Sequence, residues 1–103
     1  MTITKTMENN TAVLLVEGWL DTKSSPELGK EINALSDIEG LVLDFENLEY
    51  IASSGLREVV SAYKKMKSAN GTFSVIHVSN EVMDVFRLAG LDKKLDICAK
   101  ENG

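Results

Sequence analysis

The chain has 103 residues, 44% of them hydrophobic and 26% charged, a composition outside the disordered range and a length that fits one domain. A net charge of −5 argues against nucleic acid, whose phosphates require a basic face. One cysteine, Cys98, excludes an internal disulfide, and no apolar run reaches the length of a membrane span.

In chain order, residues 2–7 and 12–17 (AVLLVE) read as two strands, with Glu8-Asn9-Asn10 as a hairpin turn between them. The second run is almost wholly apolar, which predicts a strand buried on both faces. The opening MTITKTMENN has no signal-peptide core, so the cytoplasm is the expected compartment. After Gly18, Ser24 or Ser25 is a natural N-cap, Pro26 suits a first helical turn and Glu27 complements the helix dipole. Leu28, Ile32 and Leu35 recur at helical spacing and predict a helix over 25–36. Residues 41–45 (LVLDF) predict a central strand, followed by a short loop.

Ser53 and Ser54 open the next helix, with Leu56, Val59, Val60, Tyr63 and Met66 on one stripe and Lys64, Lys65 and Lys67 towards its C-terminal dipole end. Asn70-Gly71 stops it. FSVIHV at 73–78 predicts a buried strand. Asn80 is the expected cap of a third helix carrying Val82, Val85, Phe86 and Ala89, which Gly90 ends, and 95–99 predicts a last strand. The order β-β-α-β-α-β-α-β implies a single α/β domain over 1–103, its mixed, mostly parallel sheet built by right-handed crossovers with helices packed on it.

Catalytic chemistry finds no assembled residues. One histidine and one cysteine cannot form a zinc cluster, and His77 within SVIHV reads as a packed or edge residue, Cys98 as a small core residue. Asp21, Asp44 and Glu46 read as solvating carboxylates. No glycine-rich phosphate loop is present. The expectation is therefore a binding protein with no catalytic residues, metal or cofactor.

The segment LDFENLEYIASSGLREV differs, because two serines and a glycine stand at the entrance to an amphipathic helix. Serine there serves as a cap, or its hydroxyl accepts a phosphate, adding about −1.5 to −2 charges where helix amides and dipole accommodate them. At this point the chain resembles the anti-sigma factor antagonists of the STAS domain class. Gly18-Trp19-Leu20-Asp21 resembles the family's G-x-L-D; Tyr50-Ile51-Ala52-Ser53-Ser54-Gly55-Leu56 resembles its aromatic-x-D-S-S-G-L; Ala89-Gly90-Leu91 resembles its S-G-L after the third helix. The resemblance spans essentially the whole chain.

What the resemblance implies is a protein that binds an anti-sigma factor serine kinase and so frees a sigma factor. Phosphorylation of Ser53 inactivates it, with Ser54 the second candidate, and a serine phosphatase restores it. Asp21, Trp19, Ser53, Ser54, Gly55 and Leu56 would form the partner-binding surface, with no nucleic acid or membrane among the partners. Ala52 stands where the family carries Asp, and Trp19 replaces a residue often charged. Two other readings keep the fold: an unswitched STAS scaffold in a larger signalling assembly, stressosome-like or transporter-associated, and a small-ligand-binding module.

Overall fold

The computed structural model describes residues 1–100. Strands β1 (Thr2–Glu8) and β2 (Thr11–Leu20) form an antiparallel hairpin in which Glu8 faces Thr11. Its two-residue turn places Asn9 and Asn10 at φ 49° and 68°, the left-handed pair that matches the twist of the flanking strands and that asparagine tolerates. Helix α1 (Ser25–Asn33) follows, then β3 (Gly40–Asp44), β4 (Leu48–Ile51), α2 (Ser53–Ser68), β5 (Thr72–Val78), α3 (Asn80–Leu88) and β6 (Ile97–Ala99). The sheet runs β1-β2-β3-β5-β6, parallel except for the first hairpin, with β4 paired to β2 off this path.

The mixed, mostly parallel sheet and three helices are those read from the sequence, with one strand added. Four residues between Asn47 and Ala52, expected as loop, form β4. They alternate poorly in hydropathy (Leu48-Glu49-Tyr50-Ile51) because the strand pairs on one side only, with Leu48 and Ile51 buried and Glu49 and Tyr50 exposed.

Burial follows period two along β2: Ala12, Leu14 and Val16 are fully enclosed while Val13 and Leu15 are half-exposed. The strand is thus covered on one face, not both. Leu41 and Leu43 of β3, Val75 and Val78 of β5 and the inward sides of all three helices complete a continuous core, with Phe45 and Phe86 tilted against each other at 6.5 Å. The helix α2 stripe is rotated from the expected one. Gly55, Val59, Ala62 and Met66 face inward, and Leu56 and Val60 turn to the side. Small residues on this face let the helix lie close to the sheet.

One cap of α3 also differs. Helix α3 is capped by Ser79 rather than Asn80, its hydroxyl accepting from the Val82 amide at 3.2 Å. A serine with extended backbone can reach back to the third amide, whereas Asn80 already lies within the helix. Gly90, at φ 73°, ends α3 as expected, with the Leu91 amide bonded to the Phe86 carbonyl at 2.9 Å. Cys98 is exposed on β6, not in the core, because this short edge strand buries neither Cys98 nor Ala99.

Candidate functional site

The site begins with a change of partner along β2. Thr11–Leu15 pair with β3, and Gly18–Leu20 pair with β4. Between them Gly18 adopts φ +93°, a conformation that side chains disfavour, and its amide donates to the Asn47 carbonyl at 3.0 Å. Glu49 is the extra residue of the adjoining bulge, since Gly18 matches Leu48 and Trp19 matches Tyr50. This bend carries the end of β2 alongside β4, so the loop after β2 and the start of α2 come together.

The loop is held by Asp21. Its carboxylate accepts from the amides of Lys23 (3.1 Å) and Ser24 (3.0 Å), and the Ser24 hydroxyl lies 3.0 Å from the same oxygen. Those bonds, the Ser24 amide first and then its hydroxyl, hold the Asp21 carboxyl below its ordinary pKa of 3.8. Ser24 precedes α1 but caps nothing with its side chain. Its hydroxyl is 2.8 Å from the Trp19 carbonyl and accepts from the Asp21 amide at 2.9 Å.

Helix α2 starts directly after β4, where the Ala52 amide donates to the Leu20 carbonyl at 2.9 Å. Ala52 is the N-cap, so neither Ser53 nor Ser54 caps the helix. The two serines differ sharply. Ser54 is half-buried, its hydroxyl 3.1 Å from that of Ser25, and Ser25 is itself buried and bonded to the Asp21 carbonyl. Ser53 is exposed at the first helical position, and its hydroxyl has no partner among the described residues. No acidic residue occupies the first turn, so the positive dipole end is uncompensated.

Gly55 is buried beneath this surface. A Cβ there would lie 2.8 Å from Ile51 Cγ1 and 2.9 Å from Leu20 Cγ, so its absence lets the start of α2 press onto the ends of β2 and β4. Leu56 lines a shallow groove of about 400 Å³ with Val60, Ala89 and Leu91, which brings Ala89 and Leu91 into the neighbourhood of the start of α2. Trp19 is 56% exposed, and Tyr50 beside it is 44% exposed. Tyr50, the aromatic of the Tyr50–Leu56 segment, was not among the expected surface residues, although the structure sets it beside Trp19.

Residues 3–97 match the family model described as Mlab, STAS domain. The chain belongs to the STAS domain family. The anti-sigma-B factor antagonist of Bacillus subtilis (strain 168) is 28% identical to this STAS domain over 89 residues, covering 85% of this chain and 82% of that one. The anti-sigma factor antagonist SpoIIAA in its unphosphorylated form superposes with a TM-score of 0.84 at 22% identity, covering 97% of this chain and 90% of that one. The Bacillus cell fate determinant SpoIIAA in the phosphorylated form gives 0.77 at 21%, covering 97% and 93%. These two likenesses show a shared fold.

Away from the STAS signature, one polar cluster closes the ends of β3 and β5. His77, in a bulge of β5 at φ 58°, holds Nδ1 2.9 Å from Asp44 Oδ1 and 3.6 Å from Glu46 Oε2, and Lys100 lies 3.6 Å from Glu46. His77 and Cys98 line one cavity of about 450 Å³, but no hydrogen bond joins them. Among the described residues no group of three His, Cys, Asp or Glu side chains is arranged to hold a metal, and no helix is long and apolar enough to cross a membrane.

Proposed function

We propose that this STAS domain is a cytoplasmic anti-sigma factor antagonist without catalytic activity of its own. It binds an anti-sigma factor that is also a serine kinase, releasing a sigma factor, and phosphate on Ser53 blocks that binding until a phosphatase removes it. The observation that carries the reading is the contrast within the serine pair: Ser53 presents an unengaged, exposed hydroxyl at the start of a 16-residue helix, whereas Ser54 is tied to Ser25. Asp21, Trp19, Ser53 and Leu56 supply the surface for the partner. Ser54 and Gly55 shape it from below.

A phosphate at Ser53 would meet the free amides of the first turn of α2 and the positive end of its dipole, so the fold tolerates it. Its effect falls on the partner. Opposing a buried carboxylate or apolar patch, the added charge costs about 2–5 kcal/mol, a loss of roughly 30- to several-thousand-fold in affinity.

The test pairs phosphate transfer with binding. Incubated with its anti-sigma factor kinase and ATP, wild type and Ser54→Ala should incorporate phosphate and Ser53→Ala should not. Titration calorimetry with the same kinase should show Ser53→Asp binding at least about 30-fold more weakly than wild type. Its melting temperature should stay within a degree or two, since the change is at the surface. Equal affinity of Ser53→Asp and wild type would transfer support to an unswitched scaffold.

A further inference from the structure

Among the described residues four large apolar side chains are strongly exposed, Met7, Trp19, Tyr50 and Leu88, and of these Trp19 and Tyr50 stand together. Their ring centroids are 5.0 Å apart with planes inclined at 37°. They are register partners across β2 and β4, so the backbone ladder, not a flexible loop, sets their spacing. The Trp19 carbonyl lies 2.8 Å from the Ser24 hydroxyl, whose one proton it shares with Asp21 Oδ1 at 3.0 Å. Two aromatic rings fixed in this way and left in solvent form a preorganised contact surface with little ordering entropy left to lose.

The charges around the pair select its ligand. Residues 17–23 and 46–50, the strand ends and loops that carry the rings, contain Glu17, Asp21, Glu46 and Glu49 against Lys23, with the Met1 ammonium also beside Gly18. Glu46 is engaged by Lys100 and His77, and Glu17 accepts from the Asn47 amide nitrogen at 3.0 Å. Asp21 and Glu49 have no cationic partner among the described residues. A π-face attracts cations, and an excess of carboxylates on the strand ends that carry it adds to that attraction and repels anions. Of the two common cationic side chains, guanidinium is planar, more weakly hydrated and able to stack on a ring while its edge N–H groups reach carboxylates; ammonium does neither as well.

We infer that Trp19 and Tyr50 form an aromatic platform that receives an arginine side chain of the protein partner, with Asp21 and Glu49 as the carboxylates at its rim. The inference rests on the reading of this face as the partner-binding one, and it adds the chemistry by which the face selects its partner.

Trp19 is the chain's only tryptophan, so its fluorescence reports directly on the platform. The probes are two synthetic peptides of equal length and charge, one with three arginines spaced by Gly-Ser, the other with three lysines in the same places. The arginine peptide should shift Trp19 emission saturably and bind about three- to tenfold more tightly than its lysine twin. Tyr50→Ala, an exposed substitution checked for folding by circular dichroism, should abolish that preference. In Trp19→Leu, amide chemical-shift mapping should show the preference lost as well. Equal affinities for the two peptides, an undiminished preference in Tyr50→Ala, or no saturable response at millimolar peptide would overturn the platform. None of these outcomes bears on the Ser53 test above, and failure of that test would leave an arginine preference intact.

Discussion

Asp21 shows how one side chain can serve both a loop and a surface. Its carboxylate gathers the amides of Lys23 and Ser24, and these bonds favour its ionised form at the surface of the loop. Because these bonds lower its pKa in the folded state, its stabilising contribution is complete above the ordinary value near 3.8 and is lost as pH falls through the depressed one. Asp21→Asn should therefore melt at a lower temperature than wild type at pH 7. Thermal melts repeated at decreasing pH should show that gap closing below about pH 4 as the wild-type carboxyl protonates.

At the scale of elements, α2 does more than carry the serine. Lys65, expected to complement the dipole of its own helix, extends instead to the end of α1, where its ammonium donates to the Ile32 carbonyl at 2.7 Å and the Leu35 carbonyl at 2.9 Å. The Leu35 carbonyl lies just beyond the end of α1, and the Ile32 carbonyl also accepts from the Leu35 amide at 3.1 Å, so the ammonium adds a second donor there. Lys65→Met keeps the aliphatic stem and removes the donors, so urea unfolding should show a loss of about 1–2 kcal/mol. Lys67, exposed and touching only Tyr63, is the control: Lys67→Met should change stability by less than about 0.5 kcal/mol. The contrast is invisible in the sequence, where both lysines fall near the same helix end. Only the packing of α1 against α2 distinguishes them.

At the scale of the molecule, the decisive residue is Gly18. Its positive φ bends β2 from β3 to β4 and so sets Trp19 beside Tyr50 and the Asp21 loop beside Ser54. The nearest atom to a Cβ at this position would be 3.5 Å away, so space is available and the cost of a side chain is conformational. Gly18→Ala should lose about 1–2 kcal/mol in denaturant titration. It should also perturb amide chemical shifts at Trp19, Asp21 and Tyr50 more than those on β5 or α3.

Much of this protein was written locally. Asn9-Asn10 dictated a hairpin, Pro26 and Glu27 the start of α1, Gly90 the end of α3, and the succession of apolar runs and helical stripes a mixed sheet with helices, because each depends on neighbours within a few residues. The G-x-L-D and S-S-G-L segments likewise fall at the end of β2 and the start of α2, which meet in the fold. Tertiary structure decided the rest. Strand β4 was illegible because four residues paired on one side leave no clear alternation, and β2 appeared buried on both faces because Val13 and Leu15 are as apolar as their enclosed neighbours. Ser53 and Ser54 are chemically identical in the sequence. One became exposed and the other tied to Ser25 only because Gly55 lets α2 settle onto Leu20 and Ile51, an approach fixed by contacts between residues far apart in the chain.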